Sequence, residues 1–246
     1  MFNSDEFEVS ALPAATDEQM IVAEIARLMT LMSQYEDTEE YEKAAIIKNK
    51  ISKLENIIRK IMIKPMLAHK VNDKKIDFNE PVFIQPKLDG VRCIFTKDGA
   101  YSRTGKKFHN VRYIELRLVP FFDKNPDVIL DGELYNHDLR DDFEQIISLV
   151  RKQKPTDWDR LNSSDMIQYH VYDYIVPFIG YEARLKWLMS NKDHLWSNVV
   201  IPVETHRVYK YEEAANMHYD GFLKQGYEGS MLRLNGAYEQ KRSYNL

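Results

Sequence analysis

Apolar positions along this 246-residue chain follow two rhythms, and the change falls near residue 64. In the first part, Ile21, Ile25, Leu28, Met32 and Tyr35 recur at alternating spacings of four and three, the period of one helix face. Thr16-Asp17-Glu18-Gln19 supplies an N-cap, an acidic first turn and a capping-box glutamine. Glu36-Asp37-Thr38 interrupts the pattern. It resumes with Ala44, Ile47, Ile51, Leu54, Ile58 and Ile61 and ends near Lys64-Pro65. Two such stripes joined by a short polar turn predict an antiparallel helical hairpin over 16–63. Residues 1–15 are acidic, contain Pro13 and show no period, which predicts a disordered tail.

Beyond residue 64 the runs shorten and alternate. Val82-Phe83-Ile84 and Val91 to Phe95 flank Lys87-Leu88-Asp89-Gly90, predicting strand, turn, strand. Asn72 to Asn79 reads as a charged, turn-rich connection. Asp98-Gly99 predicts a hairpin turn, and 111–122 a helix ending at Pro120. Val128 to Tyr135 is a buried strand ending in Asp131-Gly132-Glu133. Phe143, Ile146, Ile147 and Val150 share a helical face. Alternation over 167–176 puts His170, Tyr172 and Tyr174 on one side of a strand. A helix over 181–196 with Arg184 and Lys186 exposed, a strand over 201–209, a helix over 211–225 and a strand over 226–233 complete the pattern. Helices mixed with short strands make the second part α+β.

Charge sharpens the division. Residues 1–63 carry 7 basic and 12 acidic side chains, and the remainder 27 and 26, so the net charge of −4 belongs to the N-terminal part. The single cysteine, Cys93, lies in an apolar run and has no partner for an internal disulfide. The acidic N-terminus does not read as a signal peptide, and no apolar run is long enough for a membrane span, so a cytoplasmic protein is expected.

Chemistry concentrates at predicted strand ends. Lys87 closes one strand in Gln85-Pro86-Lys87-Leu88-Asp89-Gly90-Val91-Arg92. A lysine amine is a nucleophile once deprotonated, which nearby cationic charge from Arg92 or a metal favours. Ser102-Arg103-Thr104-Gly105, Glu133, Tyr172 and Glu228 occupy comparable places. Each alone also reads as an ordinary turn or core residue; their order and strand context together point to one site.

That ordered set resembles the covalent nucleotidyltransferases: ATP-dependent DNA ligases, RNA ligases and mRNA capping enzymes. Five stretches carry the likeness: Lys87 to Arg92, Ser102 to Gly105, Asp131 to Leu134, Val171 to Tyr174, and Glu228 to Arg233. Pro65-Met66-Leu67-Ala68 and the last stretch look most like DNA ligases, particularly small viral ones. The resemblance implies an ATP-grasp-like adenylation domain over 64–246, with two antiparallel sheets around a nucleotide cleft. It implies that Lys87 attacks the ATP α-phosphate, Tyr172 stacks on adenine and Gln85 reads the adenine edge. Arg92, Arg103 and Glu133 would hold ribose and phosphate, and Glu228 a magnesium ion. The adenylate would pass to a nick in duplex DNA, during repair, replication or recombination and, if viral, in the host cytoplasm. Lys106, Lys107, Arg112 and Arg117 are candidate DNA contacts, and Arg151, Lys152 and Lys154 form a second basic cluster. The family continues past Arg242-Ser243 with a fifth, lysine-bearing motif and an oligonucleotide-binding barrel; this chain is expected to end before them. An RNA or cap acceptor, or a catalytically incomplete nucleotide- or DNA-binding module, is the alternative. Glu40 to Glu55 loosely resembles the helical-hairpin interaction motif of nucleotide-excision repair proteins, implying a protein partner; plain packing is the alternative.

Overall fold

The computed structural model describes residues 17–70 and 76–246. The expected tail over 1–15, the cap at Thr16 and residues 72–75 of the charged connection lie outside the described residues. The chain divides into two compact units, with the boundary after Ile63.

The first unit is a pair of helices, α1 (Asp17–Asp37) and α2 (Tyr41–Met62). Glu39 has φ 60°, a left-handed residue of the kind that ends a helix and reverses the chain. Leu28, Ala44 and Ile51 are buried, and Lys50 on α2 lies 3.6 Å from Glu24 on α1.

The second unit runs β1 (Leu67–Ala68), β2 (Val82–Pro86), β3 (Val91–Thr96), β4 (Gly99–Tyr101), α3 (Arg112–Lys124) and β5 (Leu130–Tyr135). A 3-10 turn (His137–Leu139), α4 (Phe143–Val150), α5 (Asp157–Met166), β6 (Gln168–Tyr174), α6 (Tyr181–Ser190) and α7 (Lys192–Leu195) follow. The unit ends with β7 (Val200–Pro202), β8 (His206–Val208), α8 (Glu212–Lys224), β9 (Ser230–Leu234) and β10 (Arg242–Ser243). A five-stranded sheet has the order β4-β3-β5-β6-β7, and a three-stranded sheet the order β8-β2-β9. The small sheet is antiparallel throughout. The large one is antiparallel except for β7, which joins β6 in parallel. A third pairing, β1 with β10, is also parallel. The main core lies on the large sheet, where Phe95, Leu130, Tyr169 and Val171 meet Ile114, Leu118 and Phe121 of α3 and Ile146 of α4. Each such buried apolar side chain contributes about 1.5–3 kcal/mol. A smaller core gathers Ile84, Val208, Ala215 and Phe222 between the small sheet and α8.

The structure departs from the sequence pattern at informative places. The two strands around Lys87 do not pair with each other. β2 pairs with β8 and β9, and β3 with β4 and β5, so residues 87–90 carry the chain from one sheet to the other. Gly90 makes the crossing possible: a Cβ there would come within 2.5 Å of the Leu134 carbonyl oxygen. The expected strand over 201–209 splits in the same way, β7 in the large sheet and β8 in the small one. Pro120 lies inside α3 rather than at its end. Both Pro120 and Leu116 are exposed, so water can satisfy the carbonyl that the proline leaves without an N–H. The helix expected over 181–196 breaks at Asn191. Arg184, expected on its exposed face, is fully buried because it pairs with Asp173. Among the described residues, no helix is long and apolar enough to cross a membrane.

Candidate active site

Lys87 stands at the end of β2, where the chain leaves the small sheet. Its backbone N–H donates to the Gly229 carbonyl at 2.9 Å, and its ammonium forms an ion pair with Glu228. Both side chains remain about half exposed (43 and 51%), so an incoming group can reach the amine once that pair opens. Three residues on, Gly90 enters the wall of a cavity of about 510 Å³. Arg92, Arg103, Lys106, Arg151 and Glu133 also line it, together with Ser102, Thr104, Phe108 and Gln153. The cavity is thus walled by four cationic residues and one acid, a setting suited to a polyanionic ligand.

Strand register places the polar side chains. Arg92 lies opposite Glu133 across β3 and β5. Between β5 and β6 the register shifts: Asp131 pairs with Asp173 and Gly132 with Val171, so Tyr172 is the extra residue of a bulge. The bulge aims Tyr172 across the strand. Its hydroxyl donates to the Gly132 carbonyl at 3.3 Å and to Glu133 Oε2 at 3.4 Å. It also sets two fully buried aspartates opposite each other, and each requires cationic partners. Asp131 takes a two-point hydrogen bond from Arg92, at 3.0 and 2.6 Å, and another from the Tyr238 hydroxyl at 2.6 Å. Asp173 takes two from Arg184, at 2.7 and 3.0 Å, and one from Arg233 at 3.1 Å. The guanidiniums of Arg92 and Arg233 lie 5.6 and 4.9 Å from the Tyr172 ring centroid.

Burial lifts the Glu133 carboxyl to about 8; Asp131 and Asp89 add to the shift, and Arg92 opposes it. At neutral pH Glu133 is therefore mostly protonated, and its O–H can donate to a ligand. Burial also pushes His170, on the same side of β6 as Tyr172, down to about 4. Among the described residues, no group of three or more His, Cys, Asp or Glu side chains could hold a metal ion. The lone Glu228 carboxylate fits a magnesium ion only as one oxygen donor beside ligand phosphates, which is how that ion commonly binds.

The structure thus brings Arg92, Arg103, Lys106 and Glu133 into one cavity and ties Tyr172 to Glu133; Lys87 and Glu228 pair with each other and do not themselves line that cavity. Gln85 is different. Its side chain is buried and its amide is engaged, donating to the Tyr181 and Thr205 hydroxyls at 2.9 and 2.8 Å and accepting from Arg233 at 2.6 Å. It would have to exchange these bonds to read a base edge. Lys107 donates to the Asp98 carbonyl at 3.0 Å, and with Arg112 and Lys154 it lines a neighbouring cavity of about 380 Å³. Arg117 is spent on the carbonyls of His194 and Trp196, at 3.1 and 2.6 Å, so it is not free for DNA. Lys152 is paired with Asp159 at 2.6 Å. Sequence reasoning placed Asp131, Asp173 and Arg233 within motifs but gave them no role, took Arg184 as exposed, and assigned nothing to Tyr238. The available signal was an aspartate inside each of two apolar strand runs, since such a residue must find a buried cation.

Comparisons with known proteins bear on the fold and the family. No curated protein matches the chain. Among solved structures, one from a structure–function study of Lig E DNA ligases aligns with TM-score 0.61 and 20% identity, over 74% of this chain and 66% of that one. A structure designated Pmar-Lig_PreS3 aligns with TM-score 0.58 and 23% identity, over 74 and 45%. The Chlorella virus DNA ligase–adenylate aligns with TM-score 0.55 and 22% identity, over 73 and 64%. At such identities the likeness bears on the fold, and the chain spans less than two thirds of the length of each. The family model of the ATP dependent DNA ligase domain matches residues 65–246. By that match, over most of its length and across all five motifs, the chain belongs to the ATP-dependent DNA ligase domain family.

Proposed function

We propose that this chain performs the nucleotidyl-transfer chemistry of an ATP-dependent DNA ligase. The carrying observation is Lys87, exposed at the crossing between two sheets and adjoining a cavity lined by Arg92, Arg103 and Glu133. The Lys87 amine attacks the α-phosphorus of ATP. The ammonium first gives one proton to water, freeing the lone pair; a nitrogen–phosphorus bond then forms, the bond to pyrophosphate breaks, and the second proton leaves the nitrogen to solvent. Such transfer is mostly positioning and charge neutralisation. Arg92 and Arg103 face the phosphates, and protonated Glu133 offers its O–H to the ribose. Tyr172 provides an aromatic face for the adenine. Glu228 would hold a magnesium ion as one oxygen donor, and the chemistry such an ion would supply is neutralisation of the phosphate charge.

The adenylate then passes to the 5′-phosphate at a nick in duplex DNA, and the neighbouring 3′-hydroxyl displaces AMP. Lys106, Lys107 and Arg112, which line two neighbouring cavities, would meet the phosphate backbone.

Incubation with α-labelled ATP and magnesium tests the reading. Alkali-stable, acid-labile label on the chain, the signature of a nitrogen–phosphorus bond, lost in Lys87→Ala, is the expected result. Label that persists in Lys87→Ala removes the lysine from its role. Label from GTP but not ATP points instead to a capping-type enzyme, and stimulation by RNA ends rather than nicked DNA to an RNA ligase.

A further inference from the structure

Glu228 lies on a loop, residues 225–229, between α8 and β9 in the half built on the small sheet. That loop is pinned from both sides of the cleft. At its far end, the Gly229 carbonyl accepts the backbone N–H of Lys87 at 2.9 Å. At its near end it meets the turn that follows β5 of the large sheet. His137 Nε2 is 2.9 Å from the Gln225 carbonyl oxygen, and His137 Nδ1 is 2.8 Å from the Tyr135 hydroxyl. A carbonyl oxygen only accepts, so Nε2 carries the hydrogen and Nδ1 of the neutral ring accepts from Tyr135. The imidazole also lies 4.3 Å from the ring of Tyr227, the residue before Glu228. Tyr227 packs against both hydrophobic cores, and so wedges the small-sheet half to the large one. Arg140 covers Gly226, whose φ of 91° and missing Cβ allow the approach: a Cβ there would come within 2.8 Å of Arg140 Nε.

We propose that His137 and Tyr227 are positioning residues that hold Glu228 against Lys87, so that the strand carrying Glu133 also aligns the Lys87–Glu228 pair across the cleft. The kinetic part of this proposal rests on the nucleotidyl-transfer reading above. A loosened loop leaves the cavity that binds phosphate intact and misaligns the reacting amine. The cost therefore falls on turnover rather than on ATP affinity.

The test uses the full chain with His137→Ala, His137→Gln, Tyr227→Leu and Tyr227→Phe, read in two ways. Hydrogen exchange follows the amides of Lys87, Gly226 and Tyr227, which bond to Gly229, Leu223 and Phe222. Loss of one anchoring bond is expected to quicken their exchange about tenfold in His137→Ala and Tyr227→Leu, with β5 amides unchanged. His137→Gln keeps a side-chain N–H for the Gln225 carbonyl, and Tyr227→Phe keeps the ring, so both are expected to behave as wild type. In the labelling assay, His137→Ala is expected to lower the saturated adenylation rate about tenfold, with KM for ATP within about twofold, and His137→Gln to restore it. Unchanged exchange in His137→Ala, no rescue by His137→Gln, or a raised KM at an unchanged rate overturns the proposal. If the wild-type chain takes up no label, the exchange data alone decide how the loop is held.

Discussion

Replacing Asp173 with alanine should be among the most damaging single changes to the second unit. Asp173 is fully buried and accepts hydrogen bonds from Arg184, Arg233 and the backbone N–H of Tyr174. Its removal leaves two buried guanidiniums with no shared anion. Breaking a buried ion pair by deleting one partner costs about 3–5 kcal/mol. With a urea m value of about 2 kcal/mol/M, the unfolding midpoint falls by roughly 2 M. The three tryptophans, Trp158, Trp187 and Trp196, all lie in the second unit, so their fluorescence reports its unfolding alone. Adding Arg184→Met removes one of the stranded cations, so the double variant should be more stable than the sum of the two single losses predicts, by about 1–3 kcal/mol. A midpoint shift below about 0.5 M, the size expected of an exposed pair worth about 1 kcal/mol, would refute the reasoning. So would strict additivity.

Three further outcomes follow from the site. Because burial raises the Glu133 carboxyl to about 8, the folded chain holds a proton that the unfolded chain releases near its ordinary value of 4.5. This contribution to stability is complete below about 4.5 and is lost as pH rises through about 8; urea midpoints from pH 4 to 9 should show that decline, and Glu133→Gln should flatten it. Tyr172→Phe keeps an aromatic face and loses only two long hydrogen bonds, so ATP affinity by calorimetry should change little, whereas Tyr172→Leu should weaken it by about 1–3 kcal/mol. Lys106→Ala should weaken nicked-duplex binding across sequences and reduce the slope of log K against log salt by about 1; an unchanged slope removes Lys106 from the DNA path.

The sequence pattern matches α1, α2 and most of the other helices and strands, and it nominated the ordered set of Lys87, Arg103, Glu133, Tyr172 and Glu228. Those assignments rest on local signals: periodicity, turn residues and motif spacing. What it missed depends on long-range pairing. A strand, four residues and a strand look like a hairpin, and nothing local says that β2 and β3 enter different sheets. Alternation also fails at a bulge, so the step that sets Asp131 opposite Asp173 could not be read from spacing. Once that step is known, the burial of Arg184 follows, because a carboxylate without water requires a cation. Gln85 shows the opposite case: its place beside Lys87 in sequence is plain, but its engagement by Tyr181, Thr205 and Arg233 depends on three distant segments.

The chain passes between the two main sheets at 87–90 and again between β7 and β8. Any opening or closing of the halves must be absorbed by backbone torsions at these strands of connection. The reactive amine therefore sits on one of the covalent links between the sheets, so a shift of either sheet would displace it.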